Sequence, residues 1–380
     1  MAVAATSPVT PSVLGWAVGE DGRSPADIAE ALKIPVDALE AWIAGDAAPT
    51  RGQVSSLAKV LQRPRALFFM PGPPAAASLP ASFRHPPGVA RNVSPKVRRA
   101  GRESRRIQQA ISWARREAAP VEVPLQPAPT TPPAEAAAVA RGWLGITAEQ
   151  QLGWKNDREA LRGWRTAMEA HGLLVFMLQL GADEVRGFST WEDRAPLIVA
   201  NTSGVNPPAR TYTLAHELGH LVARQDATCL EPDDEGTVGG AVIETWCEQF
   251  GAALLMQAAF VDAIATTGGV VRGAADLNAV KLLMRRARVS ARAAARRLID
   301  LGWAAPSLYA SVIKTFTVSQ KQTGTPMSPK RYEDRLRSYG PDVITTVFDA
   351  LPIRDALSVL RIEVQDARTL AEYLPGLRVP

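Results

Sequence analysis

Cysteine and histidine are the scarce residues of this chain. Only Cys229 and Cys247 occur among its 380 residues. That number excludes a disulfide framework and fits a reducing compartment, so a cytoplasmic protein is expected. No apolar run reaches the roughly 18 residues that span a membrane. Residues 1–20 lack the basic segment and apolar core of a secretory signal, and no membrane association is expected. The chain also lacks a phosphate-binding glycine loop, an internal repeat, and a serine or cysteine nucleophile constellation. What is left, at 46% hydrophobic and 21% charged residues, is an ordinary soluble composition. The length allows two or three domains with proper cores.

Four histidines are present, His85, His171, His216 and His220. Two of them stand four apart in Tyr212-Thr-Leu-Ala-His-Glu-Leu-Gly-His-Leu221, an H-E-x-x-H pattern inside an apolar helical run. Side chains at i and i+4 share one helix face, so the two imidazoles can converge on one ion. Glu217 is turned about 100° around the helix, where its carboxylate reaches a water without joining the ligands. Two imidazoles, a general base and an open position make a metal-hydrolase arrangement. The bland alternative is a surface helix with two solvated histidines. Against it, Leu214, Ala215, Leu218 and Leu221 bury the rest of the helix, and Gly219 permits close packing against a neighbour.

A third ligand should be an acid or a histidine from elsewhere in the chain. Glu244 is the best candidate, on a predicted helix over 242–256 whose Trp246, Phe250 and Leu254 repeat at i, i+4 and i+8. Glu248, one turn on, is placed to accept the second ring N–H of a ligating histidine. Both acids could instead be a solvated face, but they sit in a buried-looking run. Cys247 reads as a small core residue and Cys229 as a loop cysteine. Two histidines and a carboxylate favour zinc, with Mn2+ or Fe2+ where supply dictates. Tyr212 and Tyr309 are candidates for steadying an oxyanion, and nothing in the sequence selects between them.

At these residues the chain resembles the ImmA/IrrE-type metallopeptidases, bacterial intracellular zincins often fused to an XRE-like helix-turn-helix. The resemblance covers about residues 20–302 and is carried by Ala195–Asn201, Arg210–His220 and the Glu244 helix. It implies His216, His220 and Glu244 as ligands and Glu217 as the catalytic base. It also implies a narrow substrate range, typically a partner repressor or antitoxin-like regulator. The family commonly has Asn where Glu248 stands and Pro where Gln257 stands.

Charge is unevenly spread over the net +5. Residues 84–116 hold ten Lys/Arg against Glu103 alone, and residues 281–297 hold seven against no acid. The rest of the chain is therefore net acidic. The candidates for nucleic-acid contact are Arg98, Arg99, Arg102, Arg105 and Arg106 in the first stretch. In the second they are Arg285, Arg286, Arg292 and Arg296. Residues 14–75 read as an XRE-like helix-turn-helix domain, with Ser24 capping a helix at Pro25. Its presumed recognition helix, Val36 to Ile43, offers Asp37 and Glu40 but none of the Arg, Lys, Asn or Gln that read bases. A docking module is the stronger reading of that domain.

The remaining organisation follows from composition. Residues 76–133 are a basic helix and a stiff proline-rich linker from 119 to 133. Residues 134–272 form the peptidase domain, with strands at Leu173–Leu178, Glu184–Ser189 and Pro196–Ala200. The turns between them predict a small antiparallel sheet. If the third strand forms its edge, it could hold an extended peptide across the metal. Residues 273–380 form a helical domain with a second helix-turn-helix-like segment at 277–301. The expected fold class is α+β and mostly helical. Two functions compete: a metal-dependent endopeptidase, and a DNA-binding regulator or toxin–antitoxin component whose metal is structural or sensory.

Overall fold

The computed structural model describes residues 7–74, 83–84, 94–182, 184–224, 238–316, 331–374 and 376–377. His85 and Cys229 lie outside these residues. The fold is α+β and mostly helical, and the chain divides into two compact units.

Unit 1 comprises 1–79 and 90–103. It contains α1 (Pro11–Asp21), α2 (Pro25–Leu32), α3 (Val36–Ala44), α4 (Arg51–Val60) and a 3-10 turn at Arg65–Phe69. Ser24 and Asp27 form a reciprocal cap on α2, and Thr50 with Gln53 does the same for α4. Leu14, Ile28, Leu39, Trp42, Leu57 and Phe68 make its core. On α3, Asp37 and Glu40 are exposed. The long helix α5 (Pro95–Ala114) belongs to both units, which part between Glu103 and Ser104.

Unit 2 holds strand β1 (Phe83–Arg84) and then α6 (Pro133–Leu144), α7 (Ala148–Gly153) and α8 (Asp157–Ala170). Strands β2 (Leu174–Leu178), β3 (Gly187–Thr190) and β4 (Leu197–Asn201) lead into α9 (Pro207–Val222) and α10 (Val238–Leu255). Eight further helices complete it: α11 (Ala258–Thr267), α12 (Leu277–Ala287), α13 (Ala291–Asp300), α14 (Ser307–Phe316), α15 (Arg331–Tyr339), α16 (Pro341–Ala350), α17 (Ile353–Leu360) and α18 (Val364–Tyr373).

The sheet is mixed rather than antiparallel. Its order is β1-β3-β4-β2, with β2 parallel to β4 and β3 antiparallel to β4. The short turns had predicted hairpins, but Leu174–Leu178 and Leu197–Asn201 are buried at every position. A strand apolar throughout needs cover on both faces, which is the condition for parallel pairing. Val175, Met177, Ile198 and Ala200 face the core shared with α9 and α10. On β2, Phe176 packs edge-on against Tyr339 of α15, centroids 4.8 Å apart. β4 is thus an interior strand, and β3, next to α9, lies toward the edge.

The proline-rich stretch expected to be a linker is packed onto unit 2. The Val121 N–H donates to the Asp193 carbonyl, the Gln126 N–H donates to the Val222 carbonyl, and Val123 is buried. Prolines that stiffen a free linker equally suit an extended segment laid along a surface. Among the described residues no single helix is long and apolar enough to cross a membrane. Residues 242–267 pass that test only as a pair bent by 53°.

Candidate metal centre

Helix α9 is fixed at its start. Asn206 caps it by accepting from the Ala209 N–H at 3.0 Å, and Pro207 occupies its first turn. Arg210 reaches back to the carbonyls of Val205 and Thr202, at 2.7 and 2.8 Å, and pins the β4–α9 connection. Thr211, Thr213, Leu214, Ala215, Leu218 and Leu221 are buried, as are His216 and Glu217. The second ligand helix, α10, lies against α9 at two glycines. A Cβ on Gly219 would meet Phe250 Cδ1 at 3.0 Å, and a Cβ on Gly251 would meet the His216 backbone N at 3.2 Å. The missing side chains let the backbones approach, which brings Glu244 over the histidines. Trp246 stacks on Phe250 on the buried side, centroids 5.3 Å apart.

Three ligand atoms converge there. His216 Nε2 lies 3.3 Å from Glu244 Oε2, His220 Nε2 lies 3.2 Å from Glu244 Oε1, and the two Nε2 atoms are 3.2 Å apart. Tetrahedral zinc at roughly 2.0–2.1 Å from each ligand requires ligand separations of about 3.3 Å. The donor set and its triangle therefore fit a zinc-sized ion. Among the described residues this is the one group of His, Cys, Asp and Glu that could hold one. His216 is fully buried, while the Glu244 side chain is 42% exposed, so the site opens on the Glu244 side.

Without an ion the three residues form a proton-sharing cluster. Burial pushes the Glu244 pKa up, but hydrogen bonds from His216 and His220, with their charge, hold it well below the usual carboxylate range. Burial works against a charged His220, yet Cys247, Glu244 and Glu217 together raise its pKa well above that of ordinary imidazole. The Cys247 thiol, hydrogen-bonded to His220, is itself pushed up, chiefly by burial.

Glu217 is held from the sheet. The Ser189 hydroxyl on β3 donates to Glu217 Oε2 at 3.0 Å. Gly187, two residues earlier, gives the carboxylate room. A Cβ there would lie 2.5 Å from Thr213 Cγ2, 2.6 Å from the Val199 carbonyl and 3.2 Å from Glu217 Oε1.

Residues 168–299 match the family model of the IrrE N-terminal-like domain, Peptidase_M78. The IrrE-like region runs from the end of α8 through most of α13 and contains His216, Glu217, His220 and Glu244 together. It supports a metallopeptidase-like function for this part of the chain. No curated protein matches the chain.

Other predicted site residues fall elsewhere. The Glu248 side chain is exposed, and its carbonyl accepts from the Tyr212 hydroxyl at 2.9 Å. The side chain hydrogen-bonded to His220 from this part of α10 is Cys247, one residue earlier. A full turn beyond Glu244 overshoots the ring, whereas i+3 does not. Tyr212 is thus engaged with α10, and Tyr309 is packed with α14 on the core. In the first basic stretch Arg98, Arg99, Arg102, Arg105 and Arg106 are all partly buried. Arg102 donates to the Glu20 carbonyl and Arg106 to the Val359 carbonyl. Burial lowers the Arg102 pKa to about 10. These arginines brace α5 within its own units. Arg285, Arg286, Arg292 and Arg296 on α12 and α13 are exposed, with Arg296 paired to Asp300 at 3.1 Å. Sequence reasoning missed Ser189, Gly187 and the role of Cys247. A serine in a short strand carries no signal of its own until the strand is known to flank the motif helix.

Proposed function

We propose that the chain is a zinc-dependent endopeptidase of narrow specificity, acting on a partner regulatory protein of the repressor or antitoxin kind. The observation that carries this reading is the His216–His220–Glu244 triangle with the buried Glu217 carboxylate held beside it by Ser189. His216, His220 and Glu244 would hold a divalent ion, which would supply Lewis acidity toward a peptide carbonyl and toward the attacking water. Glu217 takes a proton at its carboxylate and passes it to the leaving amine. Ser189 donates to Glu217 Oε2 and so fixes the orientation of the carboxylate. A structural ion would need the three ligands but no buried carboxylate on the next residue of the helix.

Extended polypeptide is the chemistry that suits a site flanked by a strand near a sheet edge, because backbone hydrogen bonds align the chain past the base. The test is cleavage of candidate partner proteins, sought among small DNA-binding proteins, by protein stripped with a chelator and then reloaded. Cleavage that disappears on stripping and returns with one equivalent of zinc supports the reading. Cleavage indifferent to the metal sinks it.

A second reading, a DNA-binding regulator whose ion is structural or sensory, is favoured by one observation. Arg285, Arg286 and Arg292 project exposed from two consecutive helices. Nucleic-acid binding with a steep salt dependence, lost when these arginines are neutralised, would support it.

A further inference from the structure

Cys247 stands where the two ligand helices meet. It follows Glu244 by three residues on α10, is fully buried, and lies against Gly219, the residue before His220. A Cβ on Gly219 would touch both the Cα and the Cβ of Cys247, at 3.4 Å each. From that position the Cys247 side chain is hydrogen-bonded to the His220 ring. The thiol is nevertheless not one of the converging ligand atoms. His216, His220 and Glu244 offer atoms within 4.8 Å of one another, and Cys247 does not join that group. His220 turns Nε2 into the triangle, 3.2 Å from both Glu244 Oε1 and His216 Nε2. That leaves Nδ1 for a partner outside it.

We infer that Cys247 is a positioning residue of the metal centre: its sulfur accepts the Nδ1–H of His220 and so fixes the ring with Nε2 turned toward the ion. The inference rests on the metal site of the proposed function and not on its peptidase activity. An imidazole that binds a metal through one nitrogen carries its proton on the other, and that N–H needs an acceptor. Carboxylates, carbonyls and waters usually serve. Here the nearest acid along α10 after Glu244, Glu248, is exposed, and the full burial of Cys247 keeps water from its place. A thiol is a weaker acceptor than a carboxylate, so it orients the ring while adding little to its basicity. The other role open to Cys247 is that of a small apolar residue filling the α9–α10 contact. The two roles rank substitutions in opposite order. Serine keeps an acceptor but puts a hydroxyl in an apolar contact, whereas alanine keeps the contact apolar and removes the acceptor.

The experiment uses the full chain as wild type, Cys247→Ser and Cys247→Ala, with Zn2+ as the probe. Zinc affinity is measured by competition with a metal indicator, and melting temperature is recorded separately on the metal-free proteins. Alanine should weaken zinc binding about 10–100-fold, and serine should recover most of that loss even where it melts lower than alanine. Because the chain has only 4 histidines, the ring N–H of His220 can be followed by nitrogen-15 NMR. In zinc-loaded wild type and the serine variant it should be protected from exchange with water, and in the alanine variant it should exchange faster. Cobalt-loaded protein should show no thiolate-to-metal charge-transfer absorption, since the sulfur stays outside the ligands. Equal zinc affinity in all three proteins would overturn the inference, as would an affinity order that places alanine ahead of serine. A charge-transfer band that disappears in Cys247→Ser would also overturn it, because the thiol would then be a ligand. Wild type that takes up no zinc would sink the metal-centre reading itself, and this inference with it.

Discussion

Gly251→Ala tests how closely the two ligand helices must approach. In an isolated helix this change is favourable by about 0.5–1 kcal/mol, because alanine loses less backbone entropy than glycine. Here the new Cβ would sit 3.2 Å from the His216 backbone N and 3.4 Å from the Ala215 carbonyl carbon. Both neighbours are main chain in the middle of α9, so the strain cannot be relieved by a rotamer change. Such overpacking costs about 1–3 kcal/mol, and it outweighs the helix gain. The expected net loss is about 1–2 kcal/mol, a fall of a few degrees in melting temperature for a unit of this size. Since the displaced backbone belongs to a ligand residue, zinc affinity should fall as well. Gly142→Ala is the control, because it lies in α6 with nothing within 4 Å of the new Cβ. That variant should be slightly stabilised and bind zinc normally. Melting curves and competition with a metal indicator give both numbers. If Gly251→Ala were as stable as Gly142→Ala and bound zinc equally well, the close α9–α10 approach described above would be wrong.

Three further outcomes are expected. Glu244→Ala should abolish stoichiometric zinc binding, whereas Glu248→Ala, whose side chain is exposed, should change it little; metal analysis after gel filtration distinguishes them. Zinc uptake should release a proton, since the raised His220 pKa leaves the ring protonated in the metal-free site and the ion has to displace that proton. Zinc affinity should therefore fall as pH falls, roughly tenfold per pH unit for each displaced proton, and isothermal titration in buffers of different ionisation enthalpy would show no released proton if this is mistaken. Ser189→Ala should lower turnover by about ten- to a hundredfold, matching the roughly 1.5–3 kcal/mol of a hydrogen bond to a charged group, with zinc content unchanged. Unaltered turnover would mean that Ser189 does not position Glu217.

The site was legible in the sequence where chemistry is local. H-E-x-x-H places His216 and His220 on one face because the helical repeat dictates it, and the apolar periodicity of α10 marks the helix that carries Glu244. Gly219 signalled close packing, and the structure puts Phe250 and Cys247 against it. What the sequence hid depends on pairing between distant segments. The parallel register of β2 and β4 was masked by turn residues that read as hairpins, although the unbroken apolar runs carried the opposite signal. The choice between Glu248 and Cys247 as the neighbour of His220 turned on helix rotation, which a count of residues does not resolve. Basic composition misled in α5, since whether an arginine faces solvent or a carbonyl is decided by what packs beside it. On α12 and α13 the outcome is split: Arg285, Arg286, Arg292 and Arg296 are exposed, whereas Arg297 is buried and donates to the Met256 carbonyl.

In the proposed peptidase, Glu217 moves a proton during peptide hydrolysis at a three-ligand metal site. Glu217→Gln keeps the size and most of the polarity of the side chain, and an amide can still accept from Ser189, but it cannot take up the proton. Wild type and Glu217→Gln, each verified to hold one zinc per chain, should be compared on the same cleavable partner. The cleavage rate should fall by at least about 10²–10⁴-fold in Glu217→Gln, with zinc content and melting temperature unchanged. A zinc-loaded Glu217→Gln protein that cleaves as fast as wild type would contradict it.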